Sequence, residues 1–174
     1  MDGDSNHIGL ILAFFVLLIF SAYFSATETA FSTLNRSRVK NRAENGDAKA
    51  RLVMRLADQF DKLLSTILVG NNIVNISMAS IATVFFVSLF GDRGATISTA
   101  VVTVLVLIFG EISPKSLAKE SPERFADFSA PILRVLMVVL TPVSFLFSQW
   151  KKLLSHIVQS DDTPSVTEDE LLTI

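Results

Sequence analysis

A chain of 174 residues that is 50% hydrophobic and only 18% charged, with a mean hydropathy of +0.50, lies outside the usual composition of a soluble domain and reads as a membrane protein. The lack of cysteine excludes disulfides, zinc-thiolate sites, iron-sulfur clusters and thiol catalysis together, and a net charge of −2 carries no nucleic-acid footprint. The length has room for three or four crossings of about 20 residues each, but not for a transporter of two repeated halves plus a large soluble domain.

The first apolar run, Ile8 to Thr27, holds 20 residues without a charge and continues through Glu28 to about Leu34. Its leader, MDGDSN, carries Asp2 and Asp4 and no Lys or Arg, the wrong sign for a cleaved signal peptide. The run is therefore expected to persist as a helix over about 8–34. Ser21, Ser25 and Glu28 recur at i, i+4 and i+7 and share one helix face, with Ala22, Ala26 and Ala30 as a parallel row of small residues. Taken alone, this pattern fits close helix packing with serine hydroxyls bonding back to the backbone. Such an alanine ridge and the polar second run described next are expected to need neighbours, and a second copy of the chain is the expected one. Glu28, near the end of the run, reads as an interfacial residue that meets the basic loop after it.

A second charge-free run of 29 residues, Leu63 to Gly91, predicts a span over about 61–91 and contains GNNIVN. Asn71 and Asn75 share a face at i and i+4, and Asn72 lies a third of a turn round. Carboxamides in hydrocarbon cost several kcal/mol unless partnered. They serve either as interhelical glue or as neutral oxygen ligands, and Gly70 would let a backbone or an ion come close.

The third run predicts a span over about 94–114 and ends in FGEISP, with Glu111 deep in an apolar stretch. A mid-membrane carboxylate costs on the order of 2.5 kcal/mol or more and is by default a functional candidate. Pro114 cannot donate to the carbonyl four residues earlier, so it frees the Gly110 oxygen beside that carboxylate. Carboxylate, carbonyl, hydroxyl and amide oxygens together suit a hard cation such as Mg2+, Ca2+ or Na+. The competing reading is that Lys115, at i+4 from Glu111, merely neutralises it.

A fourth apolar run, 128–150, is interrupted by Pro131, Arg134 and Pro142 and followed by Lys151 and Lys152. It is expected to form a bent juxtamembrane helix over about 128–155, lying in the cytoplasmic leaflet. Residues 1–155 then form the transmembrane domain, and the acidic segment 156–174 reads as a linker toward a further soluble region. Eight of the fifteen basic residues fall between the first and second runs, whereas the loop GDRG holds only Arg93. That asymmetry predicts an N-terminus outside the cell membrane, three crossings and a cytoplasmic exit. His7 and His156 lie outside the apolar runs, and no cysteine or Asp pair lies within them. An intramembrane hydrolase is thereby disfavoured, and no enzymatic activity is expected.

The segments SAYFSATETAFSTLN, LLSTILVGNNIVN and FGEISPKSLA, in this order and spacing, resemble the signatures of the CNNM/CorC magnesium transporter family. The resemblance covers essentially the whole chain. It implies an all-α homodimer of three spanning helices plus a juxtamembrane helix in the bilayer, exporting Mg2+ in exchange for Na+. It also implies cytoplasmic CBS domains that bind ATP, beyond this chain. Carried over residue by residue, the ion site draws on Ser21, Ser25, Asn72, the Gly110 carbonyl and Glu111. Asn71, Asn75 and Glu28 are second choices, and Pro114 has a structural role. The family often has proline before this glycine, where this chain has Phe109. The alternative function is a dimeric membrane anchor and Mg2+ sensor for a cytoplasmic regulatory domain, without transport of its own.

Overall fold

The computed structural model describes residues 2–141, and all the described elements are helical. The chain divides into a compact unit Met1–Val138, which carries the helices and their core, and a second unit Val139–Ile174. The expected acidic linker 156–174, His156 and the later half of the expected juxtamembrane helix lie outside the described residues.

Helix α1 (Asp2–Thr33) is 32 residues long, roughly 48 Å at 1.5 Å per residue. Helices α2 (Arg36–Glu44) and α3 (Ala48–Ala57) follow as a short pair, then α4 (Phe60–Phe90). A 3-10 turn (Gly91–Arg93) leads into α5 (Gly94–Leu105), a π-helical segment (Val106–Ile112), α6 (Ser113–Glu120) and α7 (Pro122–Val139). Two stretches, His7–Thr33 and Phe60–Glu120, are long and apolar enough to cross a membrane.

The second of these stretches folds back on itself at the 3-10 turn. Gly91 takes φ 59°, a conformation that glycine adopts without strain. Gly94 lies against the preceding helix so closely that a Cβ there would come within 2.5 Å of the Phe86 carbonyl oxygen and the Val87 nitrogen. The returning α5 therefore runs beside α4, with Thr83 Oγ1 and Ser98 Oγ 3.5 Å apart across the hairpin. Both arms pack on α1: Phe24 fills the space left by Gly70, where a Cβ would meet its ring at 2.5 Å.

The basic loop, from which no helix was expected, forms α2 and α3 through its own caps. Asn35 Oδ1 accepts the Arg38 N–H, and Asp47 Oδ1 accepts the N–H groups of Lys49 and Ala50, each serving donors that a helix start leaves unpaired. Gly46, at φ 96°, makes the turn between them. Val39, Ala50, Val53 and Leu56 are buried in one cluster with Phe31, Leu63 and Leu133, which seats the pair against the ends of α1 and α4 and against α7. Arg42 clamps the join by donating to both Asp47 and Asp127. Asp127 and Asp47 raise the Arg42 pKa further, and the guanidinium in turn holds the half-buried Asp47 carboxyl below its usual range.

Two expectations are corrected here. The helix after α6 starts at Pro122 rather than near 128, and Pro131 sits inside it rather than breaking it. Two of the three ridge residues on α1 are covered within the chain: Ala26 and Ala30 are buried against Ala118 of α6, with Phe125 alongside, while Ala22 is half-buried. Close approach of α1 and α6 is what these alanines provide, so the ridge gives no argument for a second copy.

Candidate ion site

Among the described residues no three His, Cys, Asp or Glu side chains converge as a metal-holding group. A cation site in this chain has to combine one carboxylate with neutral oxygens, and the carboxy-terminal half of α1 gathers such a set. Ser21 and Ser25, one turn apart, are 0% and 1% exposed. Ser21 Oγ donates to Asn75 Oδ1 on α4 at 2.8 Å, and Asn71 Oδ1 lies 3.5 Å from the same hydroxyl. From the other side the buried Gly110 presses on the same atom, since a Cβ at 110 would stand 2.9 Å from Ser21 Oγ. Three helices thus meet at one hydroxyl.

Ser25 differs from the helical hydroxyls that bond back to their own helix. Ser65, Thr66, Ser80, Thr83 and Thr99 each donate to the carbonyl four residues earlier, as hydroxyls on apolar helices do. Ser25 Oγ is buried and has no hydrogen-bond partner among the described residues. A hydroxyl left unpaired in the interior costs about 1–3 kcal/mol, which makes it a position suited to a ligand.

The returning arm of the hairpin distorts at the level of Ser21. Residues Val106–Ile112 are π-helical, and the Ser113 N–H reaches back five residues to the Ile108 carbonyl. Segments of this kind recur at functional sites because they break the regular bonding of the helix. Pro114 explains why the distortion falls here. In α register it removes the donor for the Gly110 carbonyl, as expected; in π register it removes the donor for Phe109, whose α-register donor, Ser113, is already committed. The distortion forms with Phe109 in place of the family's frequent proline.

Glu111 lies on this segment, half-buried, beside the buried Gly110 and Pro114. Its expected neutraliser is elsewhere: Lys115 Nζ pairs with Glu28 Oε2 at 3.4 Å. Glu28 in turn meets α6 rather than the basic loop. Asn72 is exposed and turned from the Ser21 face, so in the single chain it is Asn71 and Asn75 that join Ser21. The π segment is the part that sequence reasoning missed, and the Gly110–Pro114 spacing was its signal. His7, placed outside the apolar runs, begins the first apolar stretch and packs edge-to-face on Phe85 with ring centroids 5.7 Å apart.

Two long apolar stretches, one folded into a hairpin, and an oxygen-lined meeting point on a π turn define a helical membrane domain. The family model described as the cyclin M (CNNM) transmembrane N-terminal domain matches residues 11–174, and the chain belongs to that family. It is 37% identical over 158 residues to the UPF0053 inner membrane protein YfjD of Escherichia coli (strain K12), covering 88% of this chain and 37% of that protein. It is 39% identical over 149 residues to a UPF0053 protein of Haemophilus influenzae, covering 86% and 36% respectively. A chloroplastic DUF21 domain-containing protein of Arabidopsis thaliana is 36% identical over 167 residues, covering 94% of this chain and 25% of its own. The chain thus spans about a quarter to just over a third of the length of these relatives.

Proposed function

We propose that this chain is the transmembrane part of a secondary-active divalent-cation transporter whose cargo is Mg2+, exported in exchange for entering Na+. The observation that carries the reading is the buried, partnerless Ser25 hydroxyl one turn from the point where Ser21, Asn75 and Gly110 meet. Family membership supports the class of cargo, and the hard, all-oxygen donor set supports a hard cation. Ser21, Ser25, the Gly110 carbonyl and Glu111 supply donors, with Asn71 and Asn75 orienting Ser21. Asn72 contributes after a rotation of α4 or as part of the pocket's wall.

Glu111 carries the site's one formal charge, which leaves a bound Mg2+ only half neutralised. Such a site binds an ion and still lets it go, as transport requires. The crossings are α1, α4 and the continuous α5–α6 rod. The basic α2–α3 pair marks the cytoplasmic side of the cell membrane, with the N-terminus outside and the C-terminus inside. Assembly is as a homodimer with one site in each protomer, because two Glu111 carboxylates on a shared axis would repel. ATP acts only through cytoplasmic CBS domains outside this chain.

Flux into proteoliposomes, with and without a Na+ gradient, tests the proposal. Sodium-dependent Mg2+ movement that Glu111→Ala reduces by about a hundredfold is the expected result. A Glu111→Ala protein that moves Mg2+ at the wild-type rate contradicts it. Mg2+ binding without any flux favours the anchor-and-sensor alternative.

A further inference from the structure

The end of α6 and the start of α7 form an open pocket of about 410 Å³ that the ion site does not use. Leu117 lines it from α6, Ser121 from the corner, and Arg124, Phe125 and Phe128 from α7. Ser121, at φ −144° and ψ 62°, leaves the helical conformation, as a residue before proline tends to. Leu117 and Phe128 are 57% and 63% exposed. From Phe128 the exposed apolar surface continues along α7 through Ile132, Val135 and Val139, one stripe at i, i+4, i+7 and i+11, while Ala126, Ala130, Leu133 and Met137 are buried. Arg124 is exposed and makes no ion pair or hydrogen bond among the described residues. The acids of α7 are held by α2 instead, Glu123 by Arg38 at 3.7 Å and Asp127 by Arg42 at 2.7 Å.

We propose that this pocket holds an anionic phospholipid of the surrounding leaflet, with its phosphate on Arg124 and the Ser121 hydroxyl and an acyl chain over Leu117 and Phe128. The inference needs only a membrane domain and is independent of the ion site. Its first ground is level. The apolar stretch Phe60–Glu120 ends at this corner, so the pocket stands where hydrocarbon gives way to headgroups, whichever way the chain crosses. The second ground is chemistry. A guanidinium donates two parallel hydrogen bonds to a phosphate, and a phospholipid joins that phosphate to the apolar chain that Leu117 and Phe128 call for. A zwitterionic lipid brings its own cation to the headgroup level, which Arg124 repels. A free phosphate meets the charge but leaves the apolar surface bare. A second copy of the chain on this face has to bring an acid to Arg124, and the two on α7 are already held by α2.

Phe128→Trp, in a Trp150→Phe background that removes the chain's one native tryptophan, puts a fluorescent reporter in the pocket. The protein is reconstituted in phosphatidylcholine vesicles in which a minor fraction of the lipid, either phosphatidylglycerol or phosphatidylcholine, carries brominated, quenching acyl chains. Brominated phosphatidylglycerol is expected to occupy the contact about fivefold more often than brominated phosphatidylcholine, the preference one arginine confers at the headgroup level. Arg124→Gln is expected to abolish that preference. Lys119→Gln removes the same charge from the same corner but outside the pocket, and is expected to change the preference by less than about twofold. Glycerol phosphate added to the water is expected not to relieve the quenching, since it has no acyl chain to bury. The comparison of the two lipids leaves Arg124 in place, so it stands even if Arg124→Gln fails to fold. Equal quenching by both lipids overturns the proposal. So does an equal loss from Lys119→Gln and Arg124→Gln, which marks a general surface potential, and so does relief by glycerol phosphate, which marks a soluble anion. Quenching by neither lipid overturns it as well, because protein, a second copy of the chain included, then covers the face.

Discussion

The two halves of α1 both pack against α4 and build opposite environments. Toward its amino-terminal half, beside the α4–α5 turn, Leu10, Phe14, Ala82, Phe85, Val102 and Leu105 line an apolar cavity of about 160 Å³. Toward its carboxy-terminal half, Asn71, Asn75 and Gly110 meet at the Ser21 hydroxyl, with Ser25 one turn further along α1 and Glu111 next to Gly110 in the chain. The first region tolerates unfilled space, since an apolar void asks only for dispersion contacts. The second has less freedom, because a polar atom left without a partner in an apolar interior is costly. Polar atoms concentrated at one level, against a hydrocarbon-like background, are what separate a site from scattered interhelical glue.

That contrast is sharpest at Gly110. Adding a methyl group there drives Cβ to 2.9 Å from Ser21 Oγ, and the hydroxyl at the centre of the site has to move. Gly110→Ala is expected to lower Mg2+ affinity by about tenfold or more while leaving the helical content unchanged, because placement errors near 1 Å disable such sites. Calorimetry with circular dichroism checks both parts. Filling the other region is expected to do far less. Ala82→Leu places three more carbons in the apolar cavity, and Mg2+ affinity should stay within about twofold, with thermal stability changed by about 1 kcal/mol or less. A large loss of affinity from Ala82→Leu would mean that the two regions are coupled and that the site extends further along α1.

The parts of this arrangement that sequence made legible are those set by composition. Charge-free runs located α1, α4 and α5, and the polar residues inside them stood out for the same reason. Local rules went less far. Asn35 and Asp47 are strong N-caps, yet counting charges in the basic loop hid α2 and α3 behind an orientation argument. The partner of Lys115 could not be read from i+4 spacing, because Glu28 competes from another helix and tertiary packing decides between them. The alanine ridge was legible as a packing surface but not as to which helix would cover it. The π register at Val106–Ile112 depends on Pro114 together with the approach of Ser21 to Gly110, a non-local contact that no periodicity encodes. Residues 142–174 lie outside the described structure, so the reading of the acidic tail stands as an expectation.

The central claim is that Ser25 keeps its hydroxyl unpaired for a cation, and thermal unfolding of Ser25→Ala with and without Mg2+ tests it most directly. Removing a buried, unsatisfied hydroxyl is expected to leave the ion-free protein as stable as wild type, or about 1 kcal/mol more stable. The same change should cut the Mg2+-dependent stabilisation, which for wild type amounts to about 2.7 kcal/mol at a hundredfold excess over Kd. Opposite effects on the two states are the result the account predicts. A Ser25→Ala protein that is less stable without Mg2+, yet stabilised by Mg2+ as fully as wild type, would show that the hydroxyl serves packing and would contradict the account.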